Sequence, residues 1–184
     1  MDALMIGLIV GGFILLIFGF WFFSTWNRLV RLEENANKSW ADIDVLLKQR
    51  YDMIPNLVNI VKGYAEHERE ILEQFALARQ TAAGCLAQGD VKGVGAAEGM
   101  LSGLMPKINM VAEQYPDLKA DTSFVNLQNQ LVALENQLAD RREFYTALST
   151  NFNSAIQMIP TNFVAATKGC TRKDLFVVEG VQRE

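Results

Sequence analysis

Apolar residues form one unbroken block at the beginning of the chain and then recur at helical spacing along the rest of it. Residues 3–23 are all apolar or glycine, without a single charge. A helix that crosses a bilayer needs roughly 20 predominantly apolar residues, because its backbone amides must be satisfied within the segment itself. The pattern predicts a transmembrane anchor over residues 1–25, followed by a body that lies outside the hydrocarbon.

The two ends of this apolar block favour a retained anchor over a removable secretory signal. A signal has a basic start, a shorter apolar core and a small-residue cleavage site, whereas this block begins Met-Asp and ends in an aromatic cluster over 21–26. Trp and Phe in that cluster suit an interfacial belt. The first basic residues, Arg28, Arg31 and Lys38, all follow the block. By the positive-inside rule, we expect an external N-terminus and a cytoplasmic body.

Small residues in the anchor recur on a four-residue spacing. They are Ala3, Gly7, Gly11 and Gly19. Such a spacing forms a groove where a second helix can approach closely, so one interpretation is helix packing within a homo-oligomer. The other is that glycine is simply common in membrane helices.

The body carries apolar rows that are typical of helices packed against helices. Between residues 26 and 54 there is no proline or glycine, and apolar residues recur at seven-residue steps in two rows. The same pattern continues for five heptads over 123–159. With breaks at Pro55, at a turn marked by Gly84 and Gly89, and at residues 115–120, we predict four body helices: 26–54, 56–83, 90–115 and 123–159.

Four helices with short connections predict an all-α fold. We expect a single N-terminal transmembrane helix, an elongated antiparallel four-helix bundle with coiled-coil packing over 26–159, and a C-terminal tail over 160–184. Because nothing breaks the chain before residue 54, we expect the membrane helix to continue into the first body helix. Glycines in the third helix, between residues 93 and 103, each weaken it by about 1 kcal/mol. We expect them to allow close packing on a neighbour.

Two arginines interrupt the apolar rows. Arg50 and Arg141 stand where the heptads require an apolar residue, and a buried arginine needs a partner because an unpaired buried charge is costly. In an antiparallel bundle, helices that start from the same end rise equally per residue. Counting from that end places Arg141 near the level of Glu33 and Glu34. We therefore predict a polar layer formed by these four residues. The alternative is that Arg141 extends to the rim of the bundle on its aliphatic stem.

The tail combines apolar and basic side chains. If the last helix returns towards the bilayer, Phe163 and Val164 reach the membrane interface. The basic side chains then lie beside the lipid headgroups: Lys168, Arg172 and Lys173. The alternative is that the apolar residues of the tail cap the bundle or pair with a neighbouring subunit.

Composition offers little reactive chemistry. The chain has 17 basic and 21 acidic residues, with no basic patch suited to nucleic acid. It has one histidine and two cysteines, and no HExxH, GxGxxG, Walker or nucleophile-elbow motif. His67 lies among glutamates, but neighbours at one and three positions do not converge on one cation. We expect no enzyme activity, no cofactor, no metal site and no nucleic-acid partner.

Two blocks of sequence resemble the LemA family. The first is Ser39-Trp-Ala-Asp-Ile-Asp-Val-Leu-Leu-Lys-Gln-Arg-Tyr-Asp-Met-Ile-Pro-Asn-Leu-Val, followed by Val61-Lys-Gly-Tyr-Ala-Glu-His-Glu. The second is Tyr115-Pro-Asp-Leu-Lys-Ala, then Glu135-Asn-Gln-Leu-Ala, Arg141-Arg-Glu-Phe-Tyr, Asn153 and Ile159-Pro-Thr-Asn. The resemblance runs from the anchor to about Ala166. The glycine-rich stretch 89–103 and the tail after Lys168 depart from the family pattern.

The resemblance implies a single membrane helix, an all-helical antiparallel bundle and no established enzymatic activity. It further implies a role in membrane organisation, sometimes beside membrane proteases of the HtpX type. We therefore predict a single-pass protein of the bacterial inner membrane, a scaffold that self-associates and organises or remodels membrane or membrane-protein assemblies. Its expected partners are membrane lipid, further copies of the chain and other membrane proteins. The alternative is a regulatory adaptor for a membrane enzyme such as an HtpX-type protease.

Overall fold

The chain is built from helices throughout the residues that the structure, a computed structural model, describes. These are residues 3–65 and 67–178, with side chains from residue 5 onwards, and they contain no strand. The helices are α1 (Ala3–Tyr64), α2 (Arg69–Gln88), α3 (Val91–Gln114), α4 (Pro116–Ala120), α5 (Thr122–Ala155) and α6 (Thr161–Lys168). The predicted all-α class with one long apolar N-terminal helix is confirmed. The antiparallel four-helix arrangement stays a prediction.

Helix α1 runs without a break from the apolar block to Tyr64. The expected continuation of the membrane helix is therefore confirmed, and the predicted break at Pro55 is wrong. Proline cannot donate to the carbonyl four residues earlier, which here belongs to Tyr51. That carbonyl accepts a hydrogen bond from Arg79 Nε at 2.8 Å instead. A side chain of α2 thus replaces the bond that Pro55 removes.

Of the two glycines predicted to mark the turn, Gly84 and Gly89, only Gly89 ends the helix. Helix α2 continues through Gly84 and ends at Gly89, whose left-handed φ of 69° terminates the helix. Glycine inside a helix costs only about 1 kcal/mol relative to alanine, and the buried Ala82 and Leu86 on either side of Gly84 hold the helix together. Asp90 then caps α3 by accepting a hydrogen bond from the Gly93 amide at 3.0 Å.

The last long helix is shorter than the heptad pattern predicts. Helix α5 ends at Ala155 rather than at residue 159, and a turn over 156–160 leads into α6. Proline at 160 lacks the amide that would continue α5. The tail predicted from residue 160 therefore begins with a helix, which ends at Gly169 with a φ of 75°.

Contacts divide the chain into two compact units. Unit 1 comprises residues 1–38 and 147–173, and unit 2 comprises residues 39–146 and 174–184. Both α1 and α5 contribute residues to each unit. The predicted division into anchor, bundle and tail stays a prediction.

Unit 2 contains the larger core. Its buried apolar side chains come from α1, α2, α3, α4 and α5, and helices α2 and α3 pack directly against each other. The largest fully buried members are Ile43, Leu47, Leu57, Val61, Phe75, Leu101, Ile108, Leu118, Phe124 and Leu138. The two heptad rows of α1 supply much of this core, as expected for a helix that faces helices.

The end of the tail packs onto unit 2 at Gly95. A Cβ atom at Gly95 would collide with the carbonyl oxygen of Val177. The neighbouring Phe176 is buried, with its ring edge-on to Trp40 at a centroid distance of 5.7 Å. The Tyr145 hydroxyl donates to the Asp174 carbonyl at 2.9 Å. The close packing expected of the glycine-rich helix is thus found at Gly95, and Phe176 packs into unit 2.

Two glycines of the same helix provide a matched test of this contact. Gly95→Ala should lower the free energy of unfolding by about 1–3 kcal/mol, because the new methyl group displaces the tail. Gly103→Ala meets nothing within 4 Å and should raise it by up to about 1 kcal/mol, since alanine favours helix. Urea unfolding in detergent, with limited proteolysis of the tail, measures both. Equal effects of the two substitutions would contradict the close approach at Gly95.

Candidate functional site

An apolar cluster in unit 1 lies where the apolar block of α1 ends. Its buried members are Leu29, Ala155, Val164 and Ala165. Around them pack Trp21, Phe22, Trp26, Leu32, Ile156 and Cys170. We call these ten residues the membrane-proximal cluster. Through it, the end of α5 and helix α6 cover one face of α1 just beyond the predicted span.

Aromatic side chains at the end of the apolar block contact one another along α1. Phe22 and Trp26 are one turn apart with ring centroids 6.1 Å from each other, and Phe18 and Trp21 are 5.7 Å apart. Aromatic rings are enriched at the headgroup level of membrane helices. This position is consistent with the interfacial belt expected from the sequence.

Polar contacts fix α6 and the following residues along α1. Lys168 forms an ion pair with Glu33, whose carboxylate raises the pKa of the Lys168 ammonium. Lys173 Nζ donates to Asn37 Oδ1 at 2.7 Å. The side chain of Asn153 donates to the Lys173 carbonyl and accepts from its amide, both at 2.8 Å. The chain from α6 onwards therefore follows α1 in the same direction, from Glu33 to Asn37.

The residues predicted to touch the membrane from the tail divide into two groups. Phe163 is 68% exposed, whereas Val164 is only 1% exposed and lies in the membrane-proximal cluster. The prediction for Val164 is wrong because this segment is a helix, in which adjacent residues point in different directions. Among the predicted basic residues, Arg172 is exposed, whereas Lys168 and Lys173 contact α1.

The small residues of the anchor form an open face. A Cβ atom built on Gly7, Gly11 or Gly19 meets nothing within 4 Å. The side chain of Ala3 lies outside the described residues. Packing of this face against a second helix stays a prediction.

A buried ion cluster connects three helices within unit 2. Arg50 of α1 is 4% exposed, and its Nη1 atom lies 2.5 Å from Glu98 Oε2 of α3 and 2.5 Å from Glu135 Oε2 of α5. Arginine suits this position because its planar guanidinium contacts two carboxylates at once. We call Arg50, Glu98, Glu135 and the adjacent Tyr51 the Arg50 cluster.

Burial raises the pKa of two groups in the Arg50 cluster, Glu98 and Tyr51. The pKa of Glu98 is raised, first because burial disfavours its charged form, although Arg50 acts in the opposite direction. A side-chain hydrogen bond with Tyr51 also opposes this rise in the pKa of Glu98. Burial and the nearby Glu98 carboxylate also raise the pKa of the Tyr51 hydroxyl far above its usual range. Arg50 is therefore the group that makes a carboxylate tolerable at this depth.

Sequence position marks Glu98 and Glu135 as candidate partners for a buried base. Glu98 lies four residues after Val94 and three before Leu101, so it shares the buried face of α3 with them. An acidic residue on an apolar face is expected to meet a buried base. Glu135 lies at the edge of the stripe formed by Leu134 and Leu138 in α5.

The predicted polar layer around Arg141 is wrong. Its Nη1 atom lies 3.7 Å from Asp42 Oδ2, and both side chains are about half exposed. Glu33 instead pairs with Lys168, and Glu34 is exposed. The long aliphatic stem of arginine lets the guanidinium remain in solvent, which agrees with the alternative interpretation of Arg141.

A pocket of about 210 Å³ opens beside the Arg50 cluster. It is lined by Arg50, Ser102, Met105, Asn109, Gln128, Leu131, Val132 and Glu135. Gln128 donates to Asn109 Oδ1 at 2.6 Å across its rim. The walls are largely apolar, and the charged groups at one end already neutralise each other. The pocket is smaller than most ligand sites.

Within the described ranges, no three His, Cys, Asp or Glu side chains gather where they could hold a metal ion. His67 is exposed on the connection between α1 and α2, and its neighbour Glu66 lies outside the described residues. The expectation that the protein binds no metal or cofactor stays a prediction.

Comparison with known proteins identifies relatives along most of the chain. A family model described as "LemA family" matches residues 39–184. Protein LemA of Metamycoplasma hominis is 24% identical over 169 residues, which cover 91% of this chain and 75% of the relative.

Further relatives carry a more specific name. Magnetosome protein MamQ 2 of Paramagnetospirillum magneticum is 26% identical over 175 residues. Magnetosome protein MamQ of Magnetospirillum gryphiswaldense is 21% identical over 174 residues. Each match covers 82% of this chain, which spans only 64% of the relative's length. Together with the one helix in the described residues that is long and apolar enough to cross a bilayer, these relatives indicate a membrane-associated protein.

The two arginines of the heptad rows form a matched pair for mutation. Arg50→Met should lower the free energy of unfolding by about 3–5 kcal/mol, because it leaves Glu98 and Glu135 without their buried partner. Arg141→Met should cost less than about 1 kcal/mol, since its pair with Asp42 is exposed to solvent. Urea unfolding of the full chain in detergent measures both. Similar costs for the two variants would show that the Arg50 cluster is not the main electrostatic contact of unit 2.

Proposed function

Because the chain belongs to the LemA family, we propose that it is a non-enzymatic, membrane-anchored helical scaffold that self-associates and organises membrane or membrane-protein assemblies. The continuity of α1 is the observation that carries this proposal. A single helix contains both the apolar block and the first 39 residues of the body, from 26 to 64. Anything that positions the anchor in the bilayer therefore also positions the beginning of the body.

The membrane-proximal cluster supports a scaffold rather than a loosely tethered domain. Ser24, Thr25 and Asn27 are weak helix formers, so this stretch is the natural place for a hinge. In unit 1 the helix is held just beyond this stretch by the burial of Leu29 under the end of α5 and α6. Such packing favours a fixed projection of α1 from the membrane over a flexible stalk.

Membrane sidedness follows from charge. Arg28, Arg31 and Lys38 all lie beyond the aromatic end of the span, which supports an external N-terminus and a cytoplasmic body in the bacterial inner membrane. We further propose that the body helices form the antiparallel four-helix bundle predicted from their short connections. The two-residue connection between α2 and α3 supports this arrangement for that pair.

Self-association is proposed through the anchor. The open face at Gly7, Gly11 and Gly19 allows a second helix to approach closely, and packing at such faces contributes to helix association in lipid. Relatives named for the magnetosome and a relative named only for the family match this chain. That breadth favours a general framework role over a reaction on one substrate.

The second candidate is a regulatory adaptor for a membrane enzyme such as an HtpX-type protease. Exposed apolar side chains on the helices of unit 2 favour it, because they could contact another protein. The most exposed of them are Val45, Leu77, Met100, Met110, Val132 and Phe144. The scaffold needs many copies of the chain in one complex, whereas the adaptor needs few.

Crosslinking in native membranes tests self-association. The double variant Gly7→Leu, Gly11→Leu should reduce crosslinking between chains about tenfold if the added side chains remove about 1.4 kcal/mol of helix packing. Gly12→Leu makes the same chemical change off the four-residue spacing and should leave crosslinking unchanged. The size of the detergent-extracted complex is measured alongside.

A large homo-oligomer that dissociates in the double variant would support the scaffold. Unchanged crosslinking in the double variant would contradict association through the anchor. A small complex that contains one or two copies with another membrane protein would favour the adaptor instead.

A further inference from the structure

Three large apolar side chains are exposed together at the turn between α5 and α6. Met158 is 60% exposed, Ile159 is 81% exposed and Phe163, in the first turn of α6, is 68% exposed. We call these three residues the apolar tip. Large apolar side chains that are exposed together mark a surface that binds a membrane or another protein.

The apolar tip lies near the level at which α1 leaves the predicted membrane span. Helix α6 and the residues after it follow α1 away from the span, since Lys168 contacts Glu33 and Lys173 contacts Asn37. Going back from Lys168 to Thr161 covers seven residues, or roughly 10 Å at helical rise. The same distance along α1 leads from Glu33 to Trp26. The turn before α6 is therefore at about the level of the interfacial aromatic residues.

The composition of the membrane-proximal cluster supports this level. Ile156 of the turn and Val164 of α6 pack in the same cluster as Phe22 and Trp26. The apolar tip lies beside these residues in sequence and faces outwards rather than into the cluster. The surface formed by the tip is thus continuous with the aromatic end of the predicted span.

Four backbone amides in and just after the turn form hydrogen bonds within the chain. The amides of Gln157 and Met158 donate to the Ser154 carbonyl, both at 3.1 Å. The amide of Asn162 donates to the Met158 carbonyl at 2.8 Å, and that of Phe163 to the Pro160 carbonyl at 3.3 Å. Proline has no amide to satisfy. Pairing of these four donors lowers the desolvation cost of placing the turn in a lipid interface.

Charge is absent from this part of the chain. No Asp, Glu, Lys or Arg occurs between Glu143 and Lys168. The nearest cation along the chain, Lys168, is already paired with Glu33. Contact between the tip and lipid would therefore depend on apolar insertion rather than on attraction to anionic headgroups.

We propose that the apolar tip inserts into the interfacial layer of the same bilayer that α1 crosses. Met158, Ile159 and Phe163 contact lipid, and the packing of Val164 and Ala165 on α1 holds them there. Unit 1 then has two membrane contacts, a spanning helix and an inserted turn. This inference rests on the proposed membrane anchoring, and it is independent of self-association.

Fluorescence quenching by lipid tests the insertion directly. The full chain, with Cys85 and Cys170 replaced by alanine, is reconstituted into vesicles of neutral phosphatidylcholine and labelled with an environment-sensitive fluorophore at Ile159→Cys. A matched control carries the label at Leu77→Cys, an exposed apolar residue of α2 in unit 2. Doxyl-labelled phosphatidylcholine serves as the quencher. Phe163→Cys provides a second labelled variant if Ile159→Cys does not fold.

The label in the apolar tip should emit at shorter wavelength than the control label and should lose intensity when doxyl lipid is present. The control label should do neither. Raising the salt from 0.1 M to 1 M should leave the tip signal unchanged, although the Debye length falls from about 10 Å to about 3 Å. A signal lost at high salt would overturn insertion by apolar contact.

Other outcomes separate this inference from the proposed function. A blue shift without quenching by doxyl lipid would mean that a second copy or another protein covers the tip, and would overturn the inference. Unshifted emission at the tip from a chain that floats with the vesicles would overturn the insertion and leave the anchor intact. A chain that does not float with vesicles would overturn both. The Gly7→Leu, Gly11→Leu variant should still be quenched, because insertion requires no second copy.

Discussion

Burial of Leu29 beneath α6 and the last turn of α5 is the contact on which the membrane-facing part of the structure depends. Helix α1 leaves the predicted bilayer through residues with weak helix propensity, Ser24, Thr25 and Asn27. Tertiary packing rather than propensity stabilises most helices in proteins. The membrane-proximal cluster supplies that packing within about one turn of the weak stretch. Continuity of the chain alone would leave the helix free to bend there.

The Arg50 cluster has a comparable role inside unit 2. Its arginine replaces an apolar residue in the heptad row of α1 and connects that helix to α3 and α5 through Glu98 and Glu135. A buried ion pair adds little net stability compared with well-packed apolar residues, but it is severely destabilising when only one partner is removed. Such a cluster penalises alternative registers between the three helices. Arg79, which bonds the carbonyl freed by Pro55, adds a similar directional contact between α1 and α2.

Much of the helical framework could be predicted from the sequence, because helix-forming rows of apolar residues are a strong local pattern. The apolar block, the continuation of α1 beyond it and the buried row of Leu29, Ala36 and Ile43 all follow from such patterns. Proline and glycine positions were less informative about where the helices end. Pro55 and Gly84 lie inside helices, since contacts from other elements outweigh their modest intrinsic cost.

The candidate sites could be predicted only in part. Arg50 was identifiable from its heptad position, but its partners depend on which helix faces lie opposite each other. Arg141 has the same position in its own row and is half exposed, so heptad position alone does not decide burial for a long cationic side chain. The exposure of Phe163 beside the buried Val164 required knowledge that the tail begins with a helix.

Amide hydrogen exchange of the full chain in bilayer nanodiscs tests most directly whether α1 passes from the membrane into the body without a joint. Amides over residues 24–32 should exchange slowly, as slowly as those over residues 40–50 in the core of unit 2. The connection between α1 and α2, around His67, should exchange quickly and serves as the internal control. Rapid exchange over 24–32 would show a flexible stalk and would contradict the account of a scaffold positioned by its anchor.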